Sequence, residues 1–127
     1  MIAVDTSALM AIALDEPKAA ACTAALEAED EILISAGTLV ETLIVSARRN
    51  VGAEMARFID RLAPDIVTVT PAAARRVAEA YRQWGRGMHP AALNFGDCFA
   101  YEVAREYACR LLYVGDDFAE TDIESVL

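Results

Sequence analysis

Met1-Ile2-Ala3-Val4-Asp5-Thr6-Ser7 opens the chain with an apolar run, a carboxylate and two hydroxyls. Ile2 to Val4 reads as a short buried strand that ends in an acid. From there Ala8, Leu9, Ile12 and Ala13 recur at helical spacing, with Thr6 or Ser7 as the expected N-cap. A strand that runs straight into a helix is the first half of a βαβ unit. In open parallel sheets the ligand crevice lies beyond the carboxyl ends of the strands. Asp5 is therefore expected at a site and not in the core.

The same alternation continues outward from this stretch. Lys18 to Ala28 is an alanine-rich helix, and Glu31 to Ser35 a second strand. Thr38 to Arg49 is a periodic helix whose stripe of Leu39, Val40, Leu43, Ile44 and Ala47 is expected to face the core. After Gly52, Ala53 to Leu62 forms an antiparallel partner, and Asp65 to Val69 a third strand. Thr70-Pro71 is a helix start, with the proline at the first helical position, and that helix runs to about Trp84. The breaker-rich loop Gly85 to Pro90 leads to Asn94-Phe95-Gly96-Asp97-Cys98, which opens another helix. Its buried stripe is expected to be Phe99, Ala100, Val103, Ala104 and Tyr107. Leu111 to Val114 is the last strand, ending at Gly115-Asp116-Asp117-Phe118. Strands alternating with helices predict an α/β protein: a three-layer α/β/α sandwich around a short, mainly parallel sheet, one domain over residues 1–127. The apolar surface of the second, third and fourth helices exceeds what such a sheet covers, which predicts a homodimer, a groove for a protein partner, or both.

With 127 residues, 56% of them hydrophobic, the chain can bury a core without staples. Cys22, Cys98 and Cys109 are odd in number and far apart, which suits reduced thiols in the cytoplasm and neither a disulfide framework nor a zinc site. The start has no basic segment of a signal peptide, and no apolar run approaches a bilayer-spanning length. The net charge of −9 disfavours generic nucleic-acid binding. Acids gathered at a cation would not repel phosphate, however, and every basic residue except Lys18 is arginine, the residue suited to bidentate phosphate contacts. Arg48, Arg49, Arg75, Arg76, Arg82 and Arg86 are candidates for a nucleic-acid path. Arg86 is the best placed of them, since it borders the loop leading to Asp97.

Four acids fall on one edge of such a sheet. Asp5 and Asp116 follow strands, while Glu41 and Asp97 sit in or near the first turns of helices. Each has an ordinary reading alone. Asp5 is a good N-cap, Glu41 a solvated side chain, Asp97 a helix-dipole partner, and Asp116-Asp117 a turn. Brought together they repel, and Mg²⁺ or Mn²⁺ with its oxygen ligands resolves the repulsion. Such a site suits phosphodiester hydrolysis by water. A phosphohydrolase with an aspartyl nucleophile is a weaker fit, because Ser7 stands where its second acid belongs. A non-catalytic module holding a metal ion is the remaining alternative. His89 reads as a loop residue, and Tyr81 and Trp84 as core aromatics more readily than base-stacking platforms.

Three segments carry a family resemblance. Met1 to Leu9 resembles the opening of PIN-domain ribonucleases. Leu93-Asn94-Phe95-Gly96-Asp97-Cys98-Phe99-Ala100-Tyr101 resembles the third-acid motif of VapC-type toxins of toxin–antitoxin pairs. Leu112-Tyr113-Val114-Gly115-Asp116-Asp117-Phe118, followed by Thr121-Asp122-Ile123, is similar to their C-terminal signature. The resemblance implies an Mg²⁺- or Mn²⁺-dependent endoribonuclease restrained by a cognate antitoxin protein. Asp5, Glu41 and Asp97 would be its acidic triad. Asp116 would be the fourth acid, with Asp117 as the fallback, and Thr6 or Ser7 would contact phosphate or metal-held water.

Overall fold

Successive residues of the inner strands face opposite helix layers, and that alternation divides the core in two. The computed structural model describes residues 1–127. Its strands are β1 (Ile2–Val4), β2 (Ile32–Ser35), β3 (Asp65–Val67) and β4 (Arg110–Leu112). They form one parallel sheet in the order β3-β2-β1-β4. The helices are α1 (Thr6–Ala13), α2 (Ala19–Glu27), α3 (Ala36–Arg48), α4 (Gly52–Leu62), α5 (Pro71–Trp84) and α6 (Phe95–Glu106). Ile2, Val4, Ile32, Ile34 and Leu112 point into the layer of α1, α2 and α4, against Leu9, Cys22 and Met55. Ala3, Leu33 and Leu111 point the other way, against Val77 and Ala80 of α5 and Ala100, Val103 and Ala104 of α6. Strands apolar on both faces are what a covered parallel sheet requires. The three-layer α/β/α sandwich expected from the sequence is the fold observed.

The chain builds β1, β2 and β3 outward in one direction, then returns to place β4 on the other flank of β1. The carboxyl ends of β1 and β4 thus border the point where strand order reverses, the usual place for a ligand crevice. Behind β4, Phe118 is buried at 1% exposure, and Ser125 bridges to Leu111. The C-terminal segment is thus pinned to the sheet through Phe118 and Ser125.

Three local expectations are corrected. The N-cap of α1 is Asp5, whose side chain accepts the Ser7 N–H; Thr6 already lies inside the helix. A carboxylate accepts that bond more strongly than a hydroxyl and suits the positive helix end. The larger correction concerns α3. Val40, Leu43 and Ile44 are exposed, while Thr38, Thr42 and Ser46 are buried against the molecule. Small hydroxyl residues let α3 approach α1 closely, and two of them find acceptors on their own helix. Thr42 Oγ1 donates to the Thr38 carbonyl at 2.9 Å, and Ser46 Oγ to the Leu43 carbonyl at 3.2 Å. Leu39 and Val45 still pack on the core from the flanks of this polar seam. At α6, Tyr107 is likewise exposed and Phe99 only half-buried, while Ala100, Val103 and Ala104 are buried as expected.

Candidate active site

β1 ends where the sheet meets α1, so the Asp5 backbone is still tied to the sheet: its N–H donates to the Leu112 carbonyl at 3.0 Å. Its side chain is 4% exposed. Oδ2 accepts the Ser7 N–H at 3.1 Å and the Ser7 hydroxyl at 2.7 Å, while Oδ1 has no partner. Ser7 Oγ in turn accepts the Val114 N–H at 3.0 Å, which ties the end of β1 to the segment after β4. Burial raises the Asp5 carboxyl to about 6, against the pull of the Ser7 hydrogen bonds and helped by the charge of Glu41.

Asp97 is the third residue of α6 and 6% exposed. It closes a capping box: Oδ2 accepts the Asn94 N–H at 2.9 Å, and Asn94 Oδ1 accepts the Asp97 N–H at 2.8 Å. Burial lifts its carboxyl to about 7, and the charges of Asp5, Asp117 and Glu41 push the same way. The charges of Asp5, Asp117 and Glu41 thus lie near enough to Asp97 to disfavour its ionised form. Of the Asp116-Asp117 pair, the charge of Asp117 is among those that raise Asp97. Both residues are exposed, and the Asp116 carbonyl turns back to accept the Ala119 N–H.

Glu41, half-buried on α3, completes the group. Its Oε1 accepts the Thr6 hydroxyl at 2.6 Å. Thr6 and Ser7 thus hold carboxylates in place, which is how the structure uses the two hydroxyls expected to meet phosphate or water. No three Asp, Glu, His or Cys side chains already surround one point at ligand distance. The four acids anticipated as a closed cage are instead two buried carboxylates with Glu41 and Asp117 as charged neighbours. The physical reason is that Thr6 engages Glu41 and the α6 cap engages one oxygen of Asp97. The donor set nonetheless fits a hard divalent cation. It is all oxygen, Asp5 Oδ1 is a buried acceptor with nothing to accept, and a cation would relieve the repulsion that raises both aspartates.

The remaining candidates divide. Arg76 is paired with Glu102 and Glu106, and Arg82 with Glu79, on the outer side of α5. Arg48, Arg49, Arg75 and Arg86 are exposed and make no ion pair, and Arg86 lines a hollow with Tyr81, Asn94 and Phe95 beside the start of α6. Trp84 Nε1 donates to Tyr101 Oη, which donates to Asp122, so the tryptophan is structural. His89 packs edge-on to Trp84, and its Nδ1 accepts the Ala91 N–H, as a loop-fixing residue does. What the sequence did not disclose is Thr42, whose hydroxyl lies 3.0 Å from that of Thr6. Its four-residue spacing from Thr38 on a helix otherwise read by its apolar stripe was the available signal.

A parallel α/β sandwich with buried acids near the sheet's reversal point defines a class of α/β proteins whose ligand crevice lies at that edge. Comparison with known proteins narrows the class. The PIN domain family model matches residues 2–124. Ribonuclease VapC30 of Mycobacterium tuberculosis is 42% identical over 126 residues, covering 97% of this chain and 96% of its own. Among solved structures, the Mycobacterium tuberculosis VapC20 toxin, described as cleaving the sarcin-ricin loop, superposes with a TM-score of 0.80 at 17% identity, over 99% of this chain and 98% of that one. A toxin–antitoxin complex from Klebsiella pneumoniae gives 0.70, also at 17% identity, over 96% and 93%. The chain belongs to the PIN-domain family, among its VapC ribonucleases.

Proposed function

We propose that the protein is a divalent-metal-dependent endoribonuclease, the toxin of a toxin–antitoxin pair, using Mg²⁺ or Mn²⁺. The observation that carries this reading is the partnerless, buried Oδ1 of Asp5 beside a second buried acid, Asp97. Asp5 and Asp97 would hold the cation, with Glu41 and Asp117 nearby. When bound, it would offset phosphodiester charge and lower the pKa of the attacking water. The chain's own residues prepare that arrangement. Ser7 turns Asp5 so that Oδ1 stays free, the Asn94 N–H anchors one oxygen of Asp97, and Thr6 fixes Glu41. Neither hydroxyl is available as a nucleophile, since Ser7 Oγ is held between Asp5 and the Val114 N–H and Thr6 Oγ1 is spent on Glu41. Water is then the attacking group, leaving 5′-phosphate and 3′-hydroxyl ends. Arg86 would meet the RNA backbone at the rim.

The test is RNA cleavage that a chelator stops and Mg²⁺ or Mn²⁺ restores. Cleavage indifferent to chelation would refute the reading. Asp117 takes the fourth-acid role in this account, in place of Asp116. Asp117→Asn is expected to slow cleavage about 10- to 100-fold, and Asp116→Asn by about 2-fold at most, in single-turnover assays.

The exposed Val40, Leu43 and Ile44 of α3 and Phe95, 73% exposed, form an apolar face next to Glu41. A second copy of the chain would cover it, and the cognate antitoxin would dock on an apolar surface of the same kind. Ile44→Glu is expected to convert a dimer to the 13.7 kDa monomer in light scattering, with less than about 1 kcal/mol lost in stability because the site is already exposed. This reading places the protein in the cytoplasm, where its three free cysteines would stay reduced; no helix is long and apolar enough to cross a membrane.

A further inference from the structure

Glu41 is the least anchored of the acids by its own backbone. It lies well inside α3, on a long side chain, and the structure holds its carboxylate from two directions. On one side is a hydroxyl chain. Thr6 has a single hydroxyl hydrogen and directs it to Glu41 Oε1 at 2.6 Å. The 3.0 Å contact between Thr6 Oγ1 and Thr42 Oγ1 is then a hydrogen bond only if Thr42 donates. Thr42 is fully buried, and the Thr38 carbonyl at 2.9 Å shares its hydrogen. On the other side is the first turn of α6. A methyl group placed on Gly96 would have as its three nearest atoms the carboxylate carbon of Glu41, at 2.6 Å, and the two carboxylate oxygens. Gly96 immediately precedes Asp97, and its φ is not in the left-handed region, so no backbone demand requires glycine there.

We infer that Thr42 and Gly96 are positioning residues for Glu41: a Thr42–Thr6 hydroxyl chain and the bare Cα of Gly96 together set its carboxylate beside Asp97. This deepens the nuclease reading and rests on it. Gly96→Ala separates position from stability, because the added methyl meets only the far end of a flexible side chain while alanine favours the helix. The carboxylate is expected to swing away and the fold to persist.

The experiment titrates Mn²⁺ alone into wild type, Gly96→Ala, Thr42→Val and Thr42→Ser by calorimetry, with melting temperatures and single-turnover RNA cleavage alongside. Gly96→Ala is expected to bind Mn²⁺ about 10-fold more weakly at an unchanged or higher melting temperature. Thr42→Val is expected to weaken binding several-fold, and Thr42→Ser, which keeps the donor, to restore it. Wild-type Mn²⁺ affinity and cleavage in both Gly96→Ala and Thr42→Val would overturn the inference. An unfolded Gly96→Ala would overturn its glycine half, leaving Thr42→Val against Thr42→Ser to decide the hydroxyl chain. Should wild type bind Mn²⁺ yet cleave no RNA, the nuclease reading fails, and the affinities still decide the positioning of Glu41.

Discussion

Asp97→Asn and Asp5→Asn are each expected to reduce RNA cleavage by roughly 10³-fold or more while leaving the fold intact. Both side chains do double duty, which is why asparagine is the informative replacement. Asp5 caps α1 through Oδ2, and Asp97 accepts the Asn94 N–H in the α6 capping box. Asparagine keeps an amide oxygen for either role and is as good an N-cap as aspartate. It removes the negative charge and replaces the other carboxylate oxygen by an amide donor, and with them goes the capacity to hold a divalent cation. Alanine would confuse the result by also deleting the caps, at about 1 kcal/mol each. Melting curves beside the rates make the distinction: an inactive, fully folded Asp97→Asn is the expected pair of readings. Cleavage at the wild-type rate in either variant would remove that residue from the mechanism.

The second large effect is on stability, and its sign is opposite to the usual one for a structural acid. Asp5 moves from its ordinary value near 3.8 to about 6 on folding, and Asp97 from the same value to about 7, with burial the main cause in each case. A carboxyl raised in the folded state keeps its proton where the unfolded chain has lost it. In the metal-free protein the contribution of these two carboxyls to stability is therefore greatest below about pH 4 and falls as pH rises through 6 to 7, levelling off above. For Asp5, buried and partly unsatisfied, the loss amounts to roughly 3 kcal/mol by pH 8. Asp5→Asn removes that cost, so the variant should outlast wild type by about 2 kcal/mol in urea at pH 8, with the gap closing near pH 4. Mn²⁺ should raise the wild-type melting temperature at pH 8, far less at pH 5, and hardly at all in the variant. A wild-type protein that grows steadily more stable from pH 4 to 8 without metal would contradict the burial of these acids.

The frame of the molecule was legible because short apolar runs, Ile2 to Val4 and Ile32 to Ile34, alternate with capped helices, and that alternation has few three-dimensional solutions. Thr70-Pro71 and Asn94 announced their helices through local chemistry alone. On α3 the periodicity misled, since hydrophobicity cannot tell a stripe facing the core from one facing a partner. Thr42 and Ser46 are buried because their hydroxyls bond to carbonyls of their own helix, and the contact of Thr42 with Thr6 is visible only once α1 and α3 meet. The candidate acids were legible only as positions after strands and at helix starts. Whether Asp116 or Asp117 turns toward Asp97 depends on the conformation of residues 115–118, where Gly115 has φ of +98° and sequence spacing gives no guidance. The Glu41 clamp required a contact between residues 55 positions apart in sequence, Glu41 and Gly96, and lay beyond any local pattern.

In the proposed site, Asp5 and Asp97 jointly hold one divalent cation at the carboxyl edge of the sheet. Anomalous scattering from a crystal soaked in Mn²⁺ tests it most directly. The account predicts a peak at coordination distance from Asp5 Oδ1 and an Asp97 carboxylate oxygen. A well-ordered site with no peak there, and with Asp5 Oδ1 bonded instead to a protein donor, would contradict it.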